Sequence, residues 1–87
     1  MRQNFTEDQL KDIFFHMKRI EPGFNNWSEE KLKNLTEAIY KCGYIWDEQD
    51  KDIGFFHPKN ELILNFKGLH YYTPETIIDT YNRVWSK

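Results

Sequence analysis

Apolar residues recur at helical spacing in three stretches of the chain, each preceded by a residue that can cap a helix. The first predicted helix covers about Thr6–Ile20. Thr6 and Gln9 fit the two ends of a capping box, and Phe5 and Leu10 are placed as its hydrophobic staple. The apolar stripe consists of Leu10, Ile13, Phe14, Met17 and Ile20. The Glu-Pro-Gly sequence that follows is expected to end this helix.

The second predicted helix covers about Ser28–Cys42. Ser28 is suited to the N-cap, and two glutamates follow it in the first turn, where the helix dipole favours negative charge. The apolar stripe consists of Leu32, Leu35, Ile39 and Cys42. Gly43 is a natural residue to end the helix, because it adopts the left-handed conformation without strain.

The third predicted helix begins at Thr73-Pro74-Glu75, which supplies an N-cap, a proline at the first helical position and an acid in the first turn. Its apolar stripe consists of Ile77, Ile78, Tyr81, Val84 and Trp85. These positions predict a C-terminal helix that packs along one face.

Between the second and third helices the apolar period changes to that of strands. Two strands are predicted, Ile53–His57 and Glu61–Phe66, joined by a tight turn at 58–60 in which Asn60 is suited to the left-handed conformation. Leu62, Leu64 and Phe66 alternate onto what we expect to be the core face. Whether Tyr44–Trp46 adds a third strand stays open. The predicted fold class is α+β: two N-terminal helices, a short antiparallel β-hairpin and a C-terminal helix in one domain, residues 1–87.

Composition agrees with a small folded domain. Hydrophobic residues make up only 39% of the 87 residues but aromatic residues 17%, so the core must consist of few, large side chains. The charged fraction is 30% with a net charge of −2, unlike the clustered basic field of most nucleic-acid binders. A single cysteine permits no intrachain disulfide, and the N-terminus shows no signal-peptide pattern. We therefore expect a cytoplasmic protein without a membrane span.

The residues that could carry catalysis or bind a metal form no constellation in the sequence. His16, His57 and His70 lie on three predicted elements without ligand spacing, and we interpret them as unrelated surface or half-buried imidazoles. Cys42 lies on an apolar stripe, which favours a structural role. We therefore predict no catalytic residue, no metal and no cofactor.

The acidic loop at 47–52 resembles a calcium-binding loop only superficially. Ile53 stands where an EF-hand needs glycine, and Lys59 where it needs a bidentate glutamate. We expect a solvated loop, and the alternative interpretation is a docking surface for a basic partner.

Three pairs of adjacent aromatic residues indicate a surface that contacts another molecule. The pairs are Phe14-Phe15, Phe55-Phe56 and Tyr71-Tyr72. Neighbours on a strand point to opposite faces and neighbours on a helix diverge by about 100°, so one member of each pair tends outward unless a second layer of structure covers it. Exposed aromatic residues are enriched at protein interfaces. The predicted partner-binding residues are Phe15, Trp46, Phe56, Lys59, Lys67, Tyr71 and Tyr72.

These observations predict a non-enzymatic module that binds a larger protein through the aromatic hairpin region. Small regulators, inhibitors and bacterial or phage accessory proteins fall in this size class. Self-association through the same patch is a related hypothesis. The alternative from another class is a protein that binds single-stranded nucleic acid by stacking bases on these aromatic residues. A metal-dependent enzyme built on the histidines is the weakest alternative.

Overall fold

The computed structural model describes residues 3–85 and confirms the predicted α+β class. The helices are α1 (Glu7–Ile20), α2 (Glu29–Lys41) and α3 (Pro74–Trp85). The strands are β1 (Ile45–Trp46), β2 (Gly54–Phe56) and β3 (Ile63–Asn65). Two short 3-10 turns, Pro22–Phe24 and Leu69–Tyr71, follow α1 and β3.

The helices begin where the capping signals predict. In α1 the Thr6 Oγ1 accepts the backbone N–H of Gln9 at 3.1 Å, and the Gln9 side chain accepts the backbone N–H of Thr6 at 3.1 Å. Ser28 accepts the backbone N–H of Lys31 at 3.1 Å in the same way at the start of α2. Thr73 accepts the backbone N–H three residues further on at the start of α3. Local side-chain chemistry therefore fixes all three helix starts.

The three strands form one antiparallel sheet in the order β1-β2-β3, so the short segment before the acidic loop is a third strand. The register aligns two cross-strand rows, Ile45–Phe56–Ile63 and Trp46–Phe55–Leu64. Hydrogen bonds extend the β2–β3 ladder beyond the strand ends, from the N–H of Phe66 to Ile53 and from the N–H of His57 to Leu62.

The turn between β2 and β3 differs from the prediction in one respect. The residue with positive φ is Glu61, at 57°, and not Asn60. Because His57 pairs with Leu62, the loop has four residues, 58–61, and the left-handed conformation that returns the chain falls on the last of them.

The core lies between the helices and one face of the sheet. Its fully buried side chains include Ile13, Met17, Phe24, Leu35, Ile39, Phe55 and Phe66. The stripe predicted for α3 is only partly buried: Ile77 is covered, but Ile78 and Val84 are 40% and 49% exposed. The predicted stripe included more positions than are buried, because α3 packs mainly against one neighbour, α2, which covers only a narrow strip of its surface.

Candidate functional site

The two faces of the sheet have different surroundings. Phe55, in the middle strand, is fully buried on the core face, where its ring lies 5.4 Å from that of Phe5 and 5.6 Å from that of Phe66. Successive side chains of a strand point to opposite faces, so the next row, Ile45–Phe56–Ile63, lies on the outer face. We call this row, with the grooves beside it, the hairpin surface.

The row at the centre of the hairpin surface is apolar and open. Ile63 is 56% exposed and Ile45 43% exposed, and Phe56 between them is half-buried. Each strand thus contributes one large apolar side chain to the same patch. Sheets with one solvated face usually place polar residues there, so this row departs from the ordinary pattern.

Sequence reasoning found Phe56 but missed Ile45 and Ile63. The signal for Ile63 was present, because Leu62 and Leu64 face the core and the residue between them must point the other way. Ile45 could be placed only once β1 was known to pair with β2, since a two-residue strand shows too little alternation to fix its faces.

Two shallow grooves flank Phe56. The first, of about 470 Å³, runs toward the turn and includes Ile63, Pro58 and Glu61 in its lining. The second, of about 710 Å³, runs toward α1 and includes Ile45 and Tyr40. Phe56 lines both, so the apolar row forms the ridge between them.

Carboxylates surround this ridge. Asp47 lines both grooves, Glu61 lines the first and Glu48 lines the second, whereas no Lys or Arg within residues 3–85 lines either groove. Asp47 accepts the backbone N–H groups of Gln49 and Asp50, each at 3.1 Å. Glu48 accepts the side-chain N–H of Gln9 at 2.8 Å. The hairpin surface is therefore apolar at its centre and acidic at its rim.

The loop that carries Asp47 and Glu48 is anchored to α1 at its far end. Asp52 accepts a hydrogen bond from Arg19, and its second oxygen lies 2.7 Å from Nδ1 of His16. The bond from Arg19, and after it that from His16, hold the pKa of the Asp52 carboxyl below its usual range. These contacts fix the loop against the helix and hold its carboxylates near the ridge.

The structure brings some of the predicted partner-binding residues together. A groove of about 260 Å³ beside β3 is lined by Lys67 and Tyr72 together with Ile63, which connects them to the hairpin surface. Lys59 is exposed in the turn after Pro58, a lining residue of the first groove.

Other predicted residues lie apart from the ridge. Phe15 is 63% exposed on α1, where its ring packs on His16, and Tyr71 is 81% exposed in the second 3-10 turn, where its ring packs on His70. Trp46 is only 6% exposed because its strand position turns it into the core row. It therefore belongs to the core and not to the open row, although it also lines the second groove.

His57 is the most enclosed of the three histidines, which corrects the expectation of a surface or half-buried ring. It is 4% exposed, with Nε2 2.9 Å from the carbonyl oxygen of Cys42 and 3.2 Å from the hydroxyl of Tyr81. It thereby joins β2 to the end of α2 and to α3.

Burial raises the pKa of the Cys42 thiol, which lowers the fraction of reactive thiolate.

His70 packs beside an acid in a separate part of the fold. Its Nδ1 lies 3.2 Å from Oε1 of Glu21, although the geometry is not that of a hydrogen bond.

Within residues 3–85, no group of three or more His, Cys, Asp or Glu side chains is arranged to hold a metal ion. In the same part of the chain, no helix is both long and apolar enough to cross a membrane.

A comparison of the chain with protein families, with curated proteins and with solved structures gives no match. The interpretation of the site therefore depends on its geometry and chemistry.

Proposed function

We propose that this protein is a non-enzymatic interaction module that binds a larger protein through the hairpin surface. The observation that carries the proposal is the row Ile45–Phe56–Ile63, three large apolar side chains side by side on the open face of the sheet. Contiguous exposed apolar patches on small proteins mark interaction sites. An apolar centre with a polar rim is also the usual anatomy of a protein interface.

The energetics favour a large partner over a small ligand. Burying an exposed Ile or Phe completely contributes about 1.5–3 kcal/mol, and these side chains are already partly covered, so the row supplies roughly 3 kcal/mol. Association costs about 4–15 kcal/mol in lost translational and rotational freedom. The partner must therefore also contact the flanking grooves, which a segment of a protein can reach and a small ligand cannot.

Binding of single-stranded nucleic acid is the second candidate. Tyr71, with 81% of its surface exposed, favours it, because such a ring can stack on a base. Phe56, Tyr72, Lys59 and Lys67 would complete the site. We prefer a protein partner because Asp47, Glu48 and Glu61 line the grooves beside Phe56 and would repel phosphates. The fluorescence anisotropy of a fluorescein-labelled oligothymidine at low salt distinguishes the two candidate functions. Salt-dependent binding would support binding of nucleic acid, and no binding would exclude it.

A cytoplasmic location is part of the proposal, on the strength of the single cysteine. The class of regulators, inhibitors and accessory proteins suits a domain of this size. The proposal includes no catalytic step.

An affinity capture from native lysate tests the proposed function. The bait is used as wild type, as Ile63→Ser and as Ile78→Ser, each verified as folded by circular dichroism. Ile78 is a matched control because it is also a half-exposed isoleucine, 40% exposed, but lies on α3. We expect a specific protein that wild type and Ile78→Ser retain and Ile63→Ser loses. If all three baits retain the same proteins, or none, the hairpin surface is not the binding site.

A further inference from the structure

The three carboxylates that line the grooves beside Phe56 lie around an apolar row and form no salt bridge with any described residue. Along the helices, Glu29, Glu37 and Asp79 each pair with a Lys or Arg four residues on. Among the described residues, Asp47, Glu48 and Glu61 form no such salt bridge. Their hydrogen-bond donors are neutral, namely backbone amides for Asp47 and the Gln9 amide for Glu48.

The chain has 12 Lys and Arg against 14 Asp and Glu, so basic residues are not scarce. Even so, none of the Lys and Arg residues within 3–85 lines the two grooves beside Phe56. Negative charge without a paired cation therefore lines the two grooves on either side of Phe56, whereas Lys67 lies in the third groove, beside Ile63. Charge complementarity at a rim steers association and excludes partners of the wrong sign.

We infer that the occupant of the hairpin surface is a basic segment of a partner protein, with apolar side chains flanked by Lys or Arg. This inference rests on the proposed function and adds the chemistry of the partner to it. The apolar side chains cover Ile45, Phe56 and Ile63, and the flanking cations lie against Asp47, Glu48 and Glu61.

The same charges argue against a second copy of this chain as the occupant. If two hairpin surfaces met face to face, two sets of carboxylates would be placed around one apolar contact, and like charges there are destabilising. A basic partner gains from the same charges, and its association rate should fall as salt screens them.

A random peptide library displayed on phage and selected on the wild-type protein tests this inference. Peptides that also bind Ile63→Ser are subtracted, and Ile45→Ser serves as a second variant in case the first folds poorly. We expect the remaining peptides to combine aromatic or aliphatic residues with an excess of Lys and Arg.

Anisotropy with an enriched peptide then measures the contribution of the rim. We expect the triple variant Asp47→Asn/Glu48→Gln/Glu61→Gln to bind roughly tenfold more weakly, from about 0.5 kcal/mol for each exposed charge. The control triple variant Glu29→Gln/Glu37→Gln/Asp79→Asn changes the net charge equally on the helices, and we expect it to change binding by less than about twofold.

Each other outcome overturns the inference. Peptides that depend on Ile63 but carry neutral or acidic flanks, or that bind both triple variants equally, contradict a basic partner and leave the proposed function standing. A dimer in sedimentation equilibrium that Ile63→Ser abolishes identifies a second copy as the occupant. If no peptide depends on Ile63 or Ile45, the inference of a basic segment fails, and the affinity capture with the Ile63→Ser bait decides the proposed function separately.

Discussion

At the scale of single residues, Ile39 and Ile63 show how far position decides the role of a side chain. Ile39 is fully buried in α2, whereas Ile63 is 56% exposed on β3. Removing one methylene from a packed core leaves a cavity, whereas the same change at the surface leaves none. The identical residue therefore stabilises the fold at one position and is free to contact a partner at the other.

This contrast gives a matched pair of substitutions. We expect Ile39→Val to lower the free energy of unfolding by about 1 kcal/mol and Ile63→Val to change it by less than about 0.5 kcal/mol. Urea denaturation followed by circular dichroism measures both. Equal losses would mean that Ile63 is packed like a core residue, which contradicts an open hairpin surface.

Gly54 is required for the pairing of β2 with β3. Its φ is 140°, and a Cβ added there would lie 2.0 Å from the carbonyl oxygen of Leu64. Gly68 also has a positive φ, 81°, but an added Cβ would meet no atom within 4 Å. Of these two glycines, Gly54 alone combines backbone strain with a steric clash.

We therefore expect Gly54→Ala to destabilise the protein far more than Gly68→Ala, which should cost about 1 kcal/mol from backbone strain alone. Thermal denaturation of the two variants compares them. A Gly54→Ala variant as stable as Gly68→Ala would show that the strands can separate locally at no cost, contrary to the close approach described.

At the scale of elements, α1 depends on a complete capping box. Thr6→Ala removes the acceptor for the Gln9 N–H, and we expect it to cost about 1 kcal/mol of stability. Thr80→Ala, at an exposed position within α3, is the control and should change stability by less than about 0.5 kcal/mol. Urea denaturation distinguishes the two, and equal effects would show that the cap contributes nothing.

Glu21 joins the two 3-10 turns and makes their contact sensitive to acid. Its carboxylate accepts the backbone N–H of Gly68 at 2.8 Å and that of Gly23 at 3.1 Å. These two bonds, with smaller contributions from the charges of His70 and Lys67, hold the pKa of Glu21 below its usual range. Because the folded pKa is lowered, the stabilisation is complete above the unfolded pKa and is lost as the pH falls through the folded value.

We therefore expect Glu21→Gln to be less stable than wild type at pH 7, with a difference that shrinks as the pH falls below about 4. Urea denaturation at pH 7 and pH 3 measures the change. A difference of the same size at both pH values would show that the charge of the carboxylate is not what matters.

The helices could be predicted from the sequence, whereas the details of the sheet could not. Helix starts depend on residues within one turn of each other, such as Thr6 with Gln9, so the information is local. The faces of a short strand depend on its pairing partners. This is why the outward position of Ile45 and the left-handed residue at Glu61 became clear only in the structure.

At the scale of the whole molecule, the candidate site was predictable only in part. The aromatic pair at 55–56 correctly indicated that one ring fills the core and the other lies toward the outer face. The same reasoning could not assign Trp46, because the pairing with Phe55 that turns it inward is a tertiary property. The acidic rim combines residues far apart in sequence, Asp47 and Glu61, so no local sequence pattern indicates it.

The central claim is that the hairpin surface contacts another protein, and photo-crosslinking in living cells tests it most directly. A photo-crosslinking amino acid replaces Ile63 in one variant and Ile78 in the other, and both are irradiated. We predict a discrete covalent product with another protein from the Ile63 position, and little or none from the Ile78 position on α3. No protein product from the Ile63 position, or the same products from both positions, would contradict the claim.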